Sequence, residues 1–244
     1  MELTVMTFNL HNSKNWQKRI SSICKLIKDE YPDIIGTQEC SEKMLVYMKE
    51  NLKNYHIIRN SKKDYEDDNL ILIKKGKIKI IKKDIFYLSK QPNISNSKNF
   101  LSIQPRKCSY VQVNFYNNII DFYNIHLDFL LNYTKKKQLE VLKKVIIEYQ
   151  QKNNTQIVVG DFNIIYNSII TKFEKETNLI DITTNLKTSY KPIKYKSPID
   201  HILISPNITK LKVWKNEKIY NNTKASDHFA VLAKIYNHKS ASIS

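Results

Sequence analysis

The chain has 244 residues, of which 41% are apolar, with three cysteines and a formal net charge of +17. That apolar content excludes a disordered chain, and no apolar run is long enough to span a bilayer. Three scattered cysteines, Cys24, Cys40 and Cys108, exclude a disulfide framework and a zinc site, so reduced buried thiols and a cytoplasmic protein are expected.

Residues 2–9 alternate apolar and polar and predict a strand that starts too early to leave room for a secretory leader. Over 15–30, Trp16, Ile20, Ile23 and Ile27 share one helical face, and Pro32 ends that helix. A buried strand over 33–38 and a helix over 41–51 follow. Strands are expected over 55–59, 69–74 and 77–88, with Gly76 at a turn. The segment 89–106 is rich in Ser, Asn and Pro and forms the longest loop, of a length that is often functional. Strands over 107–115 and 118–127 meet at the Asn117-Asn118 turn. An amphipathic helix over 132–151 carries Lys135, Lys136 and Lys137. A strand over 155–160 leads into the turn Gly160-Asp161-Phe162-Asn163, where Gly160 permits the tight bend. The stretch 164–196 shows no regular pattern. Strands over 199–205, 208–215 and 229–236 complete a single domain, 1–237, and residues 238–244 are expected to fray. Hairpins mixed with helical crossovers predict mixed sheets covered by helices.

These strands share a habit. Their ends are polar: Asn9, Gln38-Glu39, His126 with Asp128, Asp161 with Asn163, Asp200, and Ser226-Asp227-His228. Apolar strands that deliver polar side chains to one rim describe an active site on a sheet scaffold. Taken singly, Asn9 is a strand-end cap and Asp-x-Asn a plain turn; the ordered set carries the reading. Glu39 and Asp227 are hard oxygen donors that suit Mg²⁺ or Mn²⁺, and the Asn9 amide suits a metal-bound water or a phosphate oxygen. Asp161 and Asn163, two apart, face one side in extended backbone, where they would orient a water and donate to a phosphoryl oxygen. His126 would donate to phosphate, with Asp128 on its face. His228 needs a partner to fix its tautomer, and Asp200 is the candidate. His11, His56, His201 and His238 read as structural.

The set T-F-N, Q-E, N-I-H-L-D, G-D-F-N, I-D-H-I and S-D-H, in that order, resembles the endonuclease/exonuclease/phosphatase superfamily. A bacterial branch is resembled more closely, through W-x-x-R (Trp16 to Arg19), D-I-I-G-T-Q-E (Asp33 to Glu39), F-Y-L-S-x-x-P (Phe86 to Pro92) and P-R-x-C (Pro105 to Cys108). The resemblance implies a four-layer α/β sandwich, two mixed β-sheets packed face to face and flanked by helices. It implies that Glu39 and Asp227 hold Mg²⁺, for which Mn²⁺ substitutes, with Asn9 close by. Asp161 would align or deprotonate the attacking water and Asn163 would contact the phosphate. His126 and His228 would bind or protonate the phosphate, with Asp200 behind His228 and Arg106 near the phosphate. There are departures. Cys40, Ser41 and Glu42 stand where deoxyribonuclease-like members carry a minor-groove arginine, and His126 stands where abasic-site nucleases carry tyrosine.

The expected activity is a monomeric, Mg²⁺-dependent phosphoester hydrolase, with a nucleic-acid phosphodiester as the first substrate. A small-molecule or phospholipid-headgroup phosphoester is the alternative, and a silent phosphate- or nucleic-acid-binding module is the alternative of another class. Lys74, Lys75, Lys77, Lys79, Lys82 and Lys83, with Lys135 to Lys137, would form the polyanion track. Codon bias competes as an explanation, because Lys, Asn, Ile and Tyr are all abundant.

Overall fold

The computed structural model describes residues 1–59, 68–150, 154–165, 167–192, 197–220 and 222–237. The expected tail, 238–244, and His238 lie outside them. In chain order the elements are β1 (Glu2–Asn9), α1 (Trp16–Glu30), β2 (Ile34–Cys40), α2 (Glu42–Asn51), β3 (Tyr55–Ile58) and β4 (Asp68–Lys74). Then come β5 (Ile78–Tyr87), β6 (Lys107–Phe115), β7 (Asn118–His126), α3 (Asn132–Gln150), β8 (Thr155–Asp161) and α4 (Asn167–Thr177). The last are β9 (Ile180–Asp181), β10 (Asp200–Ile204), β11 (Ile208–Asn216) and β12 (Ala230–Asn237).

The strands form two six-stranded sheets, ordered β11-β12-β1-β2-β4-β3 and β5-β6-β7-β8-β10-β9. Each sheet is antiparallel except for one parallel pair, β1 with β2 and β7 with β8. A parallel pair needs a crossover, and α1 and α3 supply one each. Helix α1 stops where Tyr31 turns left-handed, its N–H bonding back to Ile27 O, just ahead of Pro32. Ser41 caps α2, its Oγ accepting from Met44 N.

Three apolar layers hold the fold. One lies between the sheets, one beneath α1 and α2, and one beneath α3 and α4. This is the four-layer sandwich with two mixed sheets. Among the described residues no helix is long and apolar enough to cross a membrane.

Strand alternation sorts the side chains between these layers. Val5, Ile34, Ile71, Phe122, Ile157 and Ile202 point into the inter-sheet core, while Met6, Ile35, Leu72, Tyr123, Val158 and Leu203 point outward to the helices. Two glycines permit the closest approaches. A Cβ on Gly36 would meet Val159 and Asn124 of the opposite sheet at 2.6 and 2.8 Å. A Cβ on Gly160 would meet the Ile125 carbonyl oxygen at 2.0 Å, and its φ is +151°. Gly160 therefore serves strand packing inside β8 rather than the bend expected of it. The bend comes three residues later, at Asn163, whose φ of 52° asparagine tolerates well.

The irregular stretch expected over 164–196 contains a helix, α4, and a short edge strand, β9. Ile169, Ile170 and Phe173 of α4 pack into the layer beneath α3, with Leu179 just beyond the helix joining them. Only three turns long, the helix has too few repeats to stand out against its polar flanks.

Candidate active site

The inward-facing row on each strand stays apolar until the sheet's rim and then turns polar. Leu3 and Val5 of β1 give way to Thr7 and Asn9, and Ile120 and Phe122 of β7 to Asn124 and His126. Ile157 and Val159 of β8 lead to Asp161; β10, running the other way, opens on Asp200 before Ile202 and Ile204. The innermost polar side chains clamp the sheets together. Gln38 Nε2 donates to Asn124 Oδ1 at 2.6 Å, and Asn124 Nδ2 donates to Thr37 O and Leu70 O at 2.9 Å. Beyond that clamp the sheets part to form a cleft of about 680 Å³.

Asp161 stands at the floor of the cleft and is almost wholly buried. Asn9 Nδ2 bridges it to Glu39, donating to Asp161 Oδ2 and Glu39 Oε1 at 3.0 Å each. Asn163 N donates to Asp161 Oδ1 at 2.9 Å. His228 Nε2 lies 3.7 Å and His126 Nε2 3.8 Å from Asp161 Oδ2. His228 Nδ1 pairs with Asp200 Oδ2 at 2.8 Å. Burial, then the nearby Asp200, raises the Asp161 pKa to about 7, despite the opposing pull of His228. Burial alone would lower His228, but Asp200 and Asp161 outweigh it and lift its pKa to about 10. His126 goes the other way. Burial, and then the Arg106 charge, push it well below its ordinary value, so it is a neutral imidazole at pH 7.

The residues expected at the site divide clearly. Glu39, Arg106, His126, Asp161, Asn163, Asp227 and His228 all line the cleft. Asn9 and Asp200 stand behind it. Both amide hydrogens of Asn9 are spent on Glu39 and Asp161 and its Oδ1 accepts from His11 N at 2.9 Å, so its amide orients Glu39 and Asp161 instead of pointing to open space. Asn163 spends one amide hydrogen on Leu127 O at 3.1 Å. Asp128 does not share the cleft with His126. It is fully buried and fastens the long loop, accepting from Ser102 Oγ and Ile103 N at 3.0 Å and from Leu130 N at 2.9 Å. His201 is structural, as expected, paired with Asp181 at 2.8 Å, and His56 is exposed on β3.

Two residues join the site that their sequence context left aside. His11 lines the cleft with Nδ1 3.4 Å from Asp227 Oδ1; burial, the largest influence on it, lowers its pKa. Arg19, the arginine of W-x-x-R, is buried and donates to the carbonyls of Leu10, His11, Asn12, Lys14 and Ala225. It ties the loop bearing His11 to the loop bearing Asp227. Ser226 Oγ adds a bond to Asn9 O at 2.7 Å, and Lys191 Nζ another to Ser226 O at 2.7 Å. Positive φ at His11, Asn12 and Glu39 was the one local oddity available, and a sequence does not display φ.

The basic track does not reach this cleft. Asn69 and Tyr87 line it, so the Gly76 turn that joins the far ends of β4 and β5 is at the opposite end of the sandwich. At about 3.3 Å per residue, Lys75 lies roughly 20 Å from Asn69 and Lys77 roughly 33 Å from Tyr87. Lys135 is buried, donating to Asn163 O at 2.7 Å, and Lys137 pairs with Glu140 at 2.9 Å.

Set beside known proteins, the sequence matches the Endonuclease/Exonuclease/phosphatase family over residues 6–228, a span that holds the whole rim from Asn9 to His228. The chain belongs to that family. Among solved structures, a mannosyl-6-phosphatase from Bacteroides thetaiotaomicron superposes with a TM-score of 0.83 at 26% identity, covering 96% of this chain and 99% of that one. An endonuclease/exonuclease/phosphatase from Bacteroides vulgatus gives 0.88 at 19% identity over 98% and 100%. TDP2 from D. rerio, complexed with single strand DNA product, gives 0.77 at 16% over 97% and 99%. No curated protein matches the sequence significantly.

Members of the endonuclease/exonuclease/phosphatase family are phosphoester hydrolases that generally depend on a divalent metal, and two groups here have the chemistry to hold one. Ligand atoms of Asp161, Asp200 and His228 lie within 4.8 Å of one another, all buried. There, however, a cationic imidazole already offsets one of the two carboxylate charges and occupies the space between them. Glu39 and Asp227 are each about a fifth exposed at the cleft, and oxygen donors with room for water are what Mg²⁺ and Mn²⁺ require.

Proposed function

We propose that this endonuclease/exonuclease/phosphatase domain, spanning residues 1–237, hydrolyses a compact phosphoester with the help of Mg²⁺ or Mn²⁺. The observation that carries the reading is Asp161, fixed by Asn9 and Asn163 beside a cationic His228, with a pKa near the working pH. A base poised near neutrality is suited to taking a proton from water. In this reading the water oxygen bonds to phosphorus as its proton passes to Asp161 Oδ2, the ester P–O bond breaks on the opposite side, and the departing alkoxide takes a proton from solvent. His228, kept protonated by Asp200, meets the charge that builds on the phosphoryl oxygens. His126, being neutral, serves as an N–H donor and not as a proton source. Asn163 and Arg106 orient the phosphate. Glu39 and Asp227 would hold the metal, whose contribution is Lewis-acid polarisation of a phosphoryl oxygen.

Two points support a compact substrate over a polymer. Of the lysines expected to form a track, Lys74, Lys75, Lys77 and Lys79 gather about the turn at the far end of the sandwich, and Lys135 is buried. The similar protein with 26% identity is a mannosyl-6-phosphatase, whereas likeness to TDP2 is likeness of fold. The nucleic-acid reading keeps one observation in its favour, the net charge of +17. A panel of sugar phosphates, bis-p-nitrophenyl phosphate, sphingomyelin, DNA and RNA, each with Mg²⁺, Mn²⁺ or EDTA, separates the two. Turnover of a small phosphoester that EDTA abolishes is the expected result. Cleavage of nucleic acid alone, steeply weakened by salt, would transfer the assignment to the second reading.

A further inference from the structure

Large apolar side chains gather on two loops and the first turn of α3 beside the cleft. Leu101 is 74% exposed, Leu130 57%, and Phe129 and Tyr133 just over half, with Ile103 and Leu131 close behind. Scattered single apolar residues need no explanation, but a cluster of six does. The two loops form one rigid platform, because Asp128 ties Ser102, Ile103 and Leu130, Gln138 Nε2 donates to Ser102 Oγ, and Thr134 Oγ1 donates to Phe100 O. The backbone holds them there at a cost. Phe100 and Leu101 have φ of 58° and 63°, a region that bulky residues avoid and that persists where the surroundings enforce it. The outcome is a leucine displayed to solvent by strained backbone.

Charge surrounds this platform. Lys98 and Lys136 are exposed beside it, and Lys98 Nζ donates to Ile103 O at 3.3 Å. The adjoining groove, between the long loop and α3, is lined by Leu101 and Tyr133 together with Lys90, Lys137 and Lys144, against the single acid Glu140. Apolar side chains ringed by lysine match an anionic lipid surface, where the apolar groups enter the headgroup region and the ammonium groups stay among the phosphates. A protein partner would need a complementary acidic rim of its own, whereas an anionic bilayer presents such a field everywhere.

We propose that this platform docks the protein on anionic lipid bilayers, with the cleft, which Phe129 also lines, held at the membrane surface. The proposal stands apart from the identity of the substrate, since docking needs no turnover. It is tested by co-sedimentation of the whole chain with vesicles of phosphatidylcholine alone or mixed with phosphatidylserine, and by sedimentation velocity without lipid. Two variants probe it. Leu101→Asn with Leu130→Ser removes exposed apolar groups, and asparagine suits the left-handed φ, so the fold is preserved. Lys98→Glu with Lys136→Glu reverses charge.

The protein is expected to bind the mixed vesicles and ignore phosphatidylcholine. The leucine variant should bind about tenfold or more weakly. The lysine variant should lose about fivefold per charge removed. Both should turn over a soluble phosphoester like the unaltered protein, and a turnover failure in all three would count against the hydrolase reading without touching this one. Vesicle binding that the leucine variant retains in full would reduce the effect to plain charge adhesion and overturn the proposal. So would a dimer in the absence of lipid that the leucine variant abolishes, because the platform would then face a second copy.

Discussion

Strand β10 contributes to two buried histidine–aspartate pairs with the same 2.8 Å Nδ1···Oδ2 separation. In one, Asp200 faces inward and holds His228; in the other, the next residue, His201, faces outward and is held by Asp181. What differs is the far side of each ring. His228 Nε2 looks across 3.7 Å to Asp161 at the cleft. His201 Nε2 is buried without a hydrogen-bond partner among the described residues, and its ring meets Phe162 edge-on at 5.2 Å. Asp181 is further fixed by Thr183, which donates through both N and Oγ1. A carboxylate that orients an imidazole is thus a chemical device only where the second nitrogen reaches a reacting group. Turned one residue along the strand, the same pair is a tie within the core.

The largest effect should come from breaking the inward pair. Asp200→Asn is expected to cut turnover about 100- to 10,000-fold while the protein still melts cooperatively. It should also move the alkaline limb of the pH–rate profile down. In the proposed mechanism His228 works protonated, and with Asp200 present it loses its proton only near pH 10; without that charge the proton leaves earlier. An unmoved limb would take His228 out of the mechanism. Asp161→Asn should lower turnover by a similar factor at unchanged melting temperature, and a folded variant with full turnover would remove Asp161 as the base.

The outward pair should answer in the opposite currency. Asp181→Asn leaves a buried imidazole without its counter-charge and is expected to cost about 3–5 kcal/mol near pH 6, with turnover of the folded fraction near normal. The pH trend has a definite sign. Burial opposes the charged His201, but Asp181 wins and raises its pKa, so the imidazolium's contribution is complete below about pH 6.5 and fades as pH rises through the raised value. The Asp181 pKa is lowered, because His201 and Thr183 outweigh burial, so its contribution is lost only as pH falls through that lowered value. Melting curves of parent and variant should therefore diverge most at mildly acidic pH and approach one another in alkali.

Two smaller effects sharpen the contrast between rim and body. Glu39→Gln should raise the Mg²⁺ concentration needed for half-activity by about tenfold or more, measured by titration after EDTA treatment. Charge reversal at Lys75, Lys77 and Lys79 should change the specificity constant for a small phosphoester by less than about twofold at moderate salt. A larger change would mean that the far end of the sandwich takes part in substrate capture.

Much of this arrangement was written in residue types. Alternation in β1 and apolar runs in β2, β7 and β8 gave the strands, and the polar residues at their ends, with Asp227 ahead of β12, gave the rim. Other features lie below what a linear reading resolves. Asp200 and His201 are neighbours, and only the register of β10 against β8, with Asp200 opposite Asp161, decides which of them faces the cleft. His11 reads as one more loop histidine until its left-handed backbone brings it to Asp227. Lys135 sits in a run of three lysines, and helical phase alone turns it inward. Arg19 was visible as part of a motif, but the five carbonyls it gathers come from two loops more than two hundred residues apart along the chain.

The chain order of the two sheets has a consequence for synthesis. Strands β5 to β10 form one sheet from a single continuous stretch, while the other is assembled from both ends of the chain. Asp161, Asp200 and His126 therefore leave the ribosome before Asp227 and His228, which come just ahead of the last strand. A nascent chain stalled after β10 would present Asp161, the proposed base, without His228 or Asp227. On the proposed mechanism, hydrolysis begins only once β12 has slotted between β11 and β1, so chains arrested before β12 should be inert and onset of activity should report completion of the sandwich.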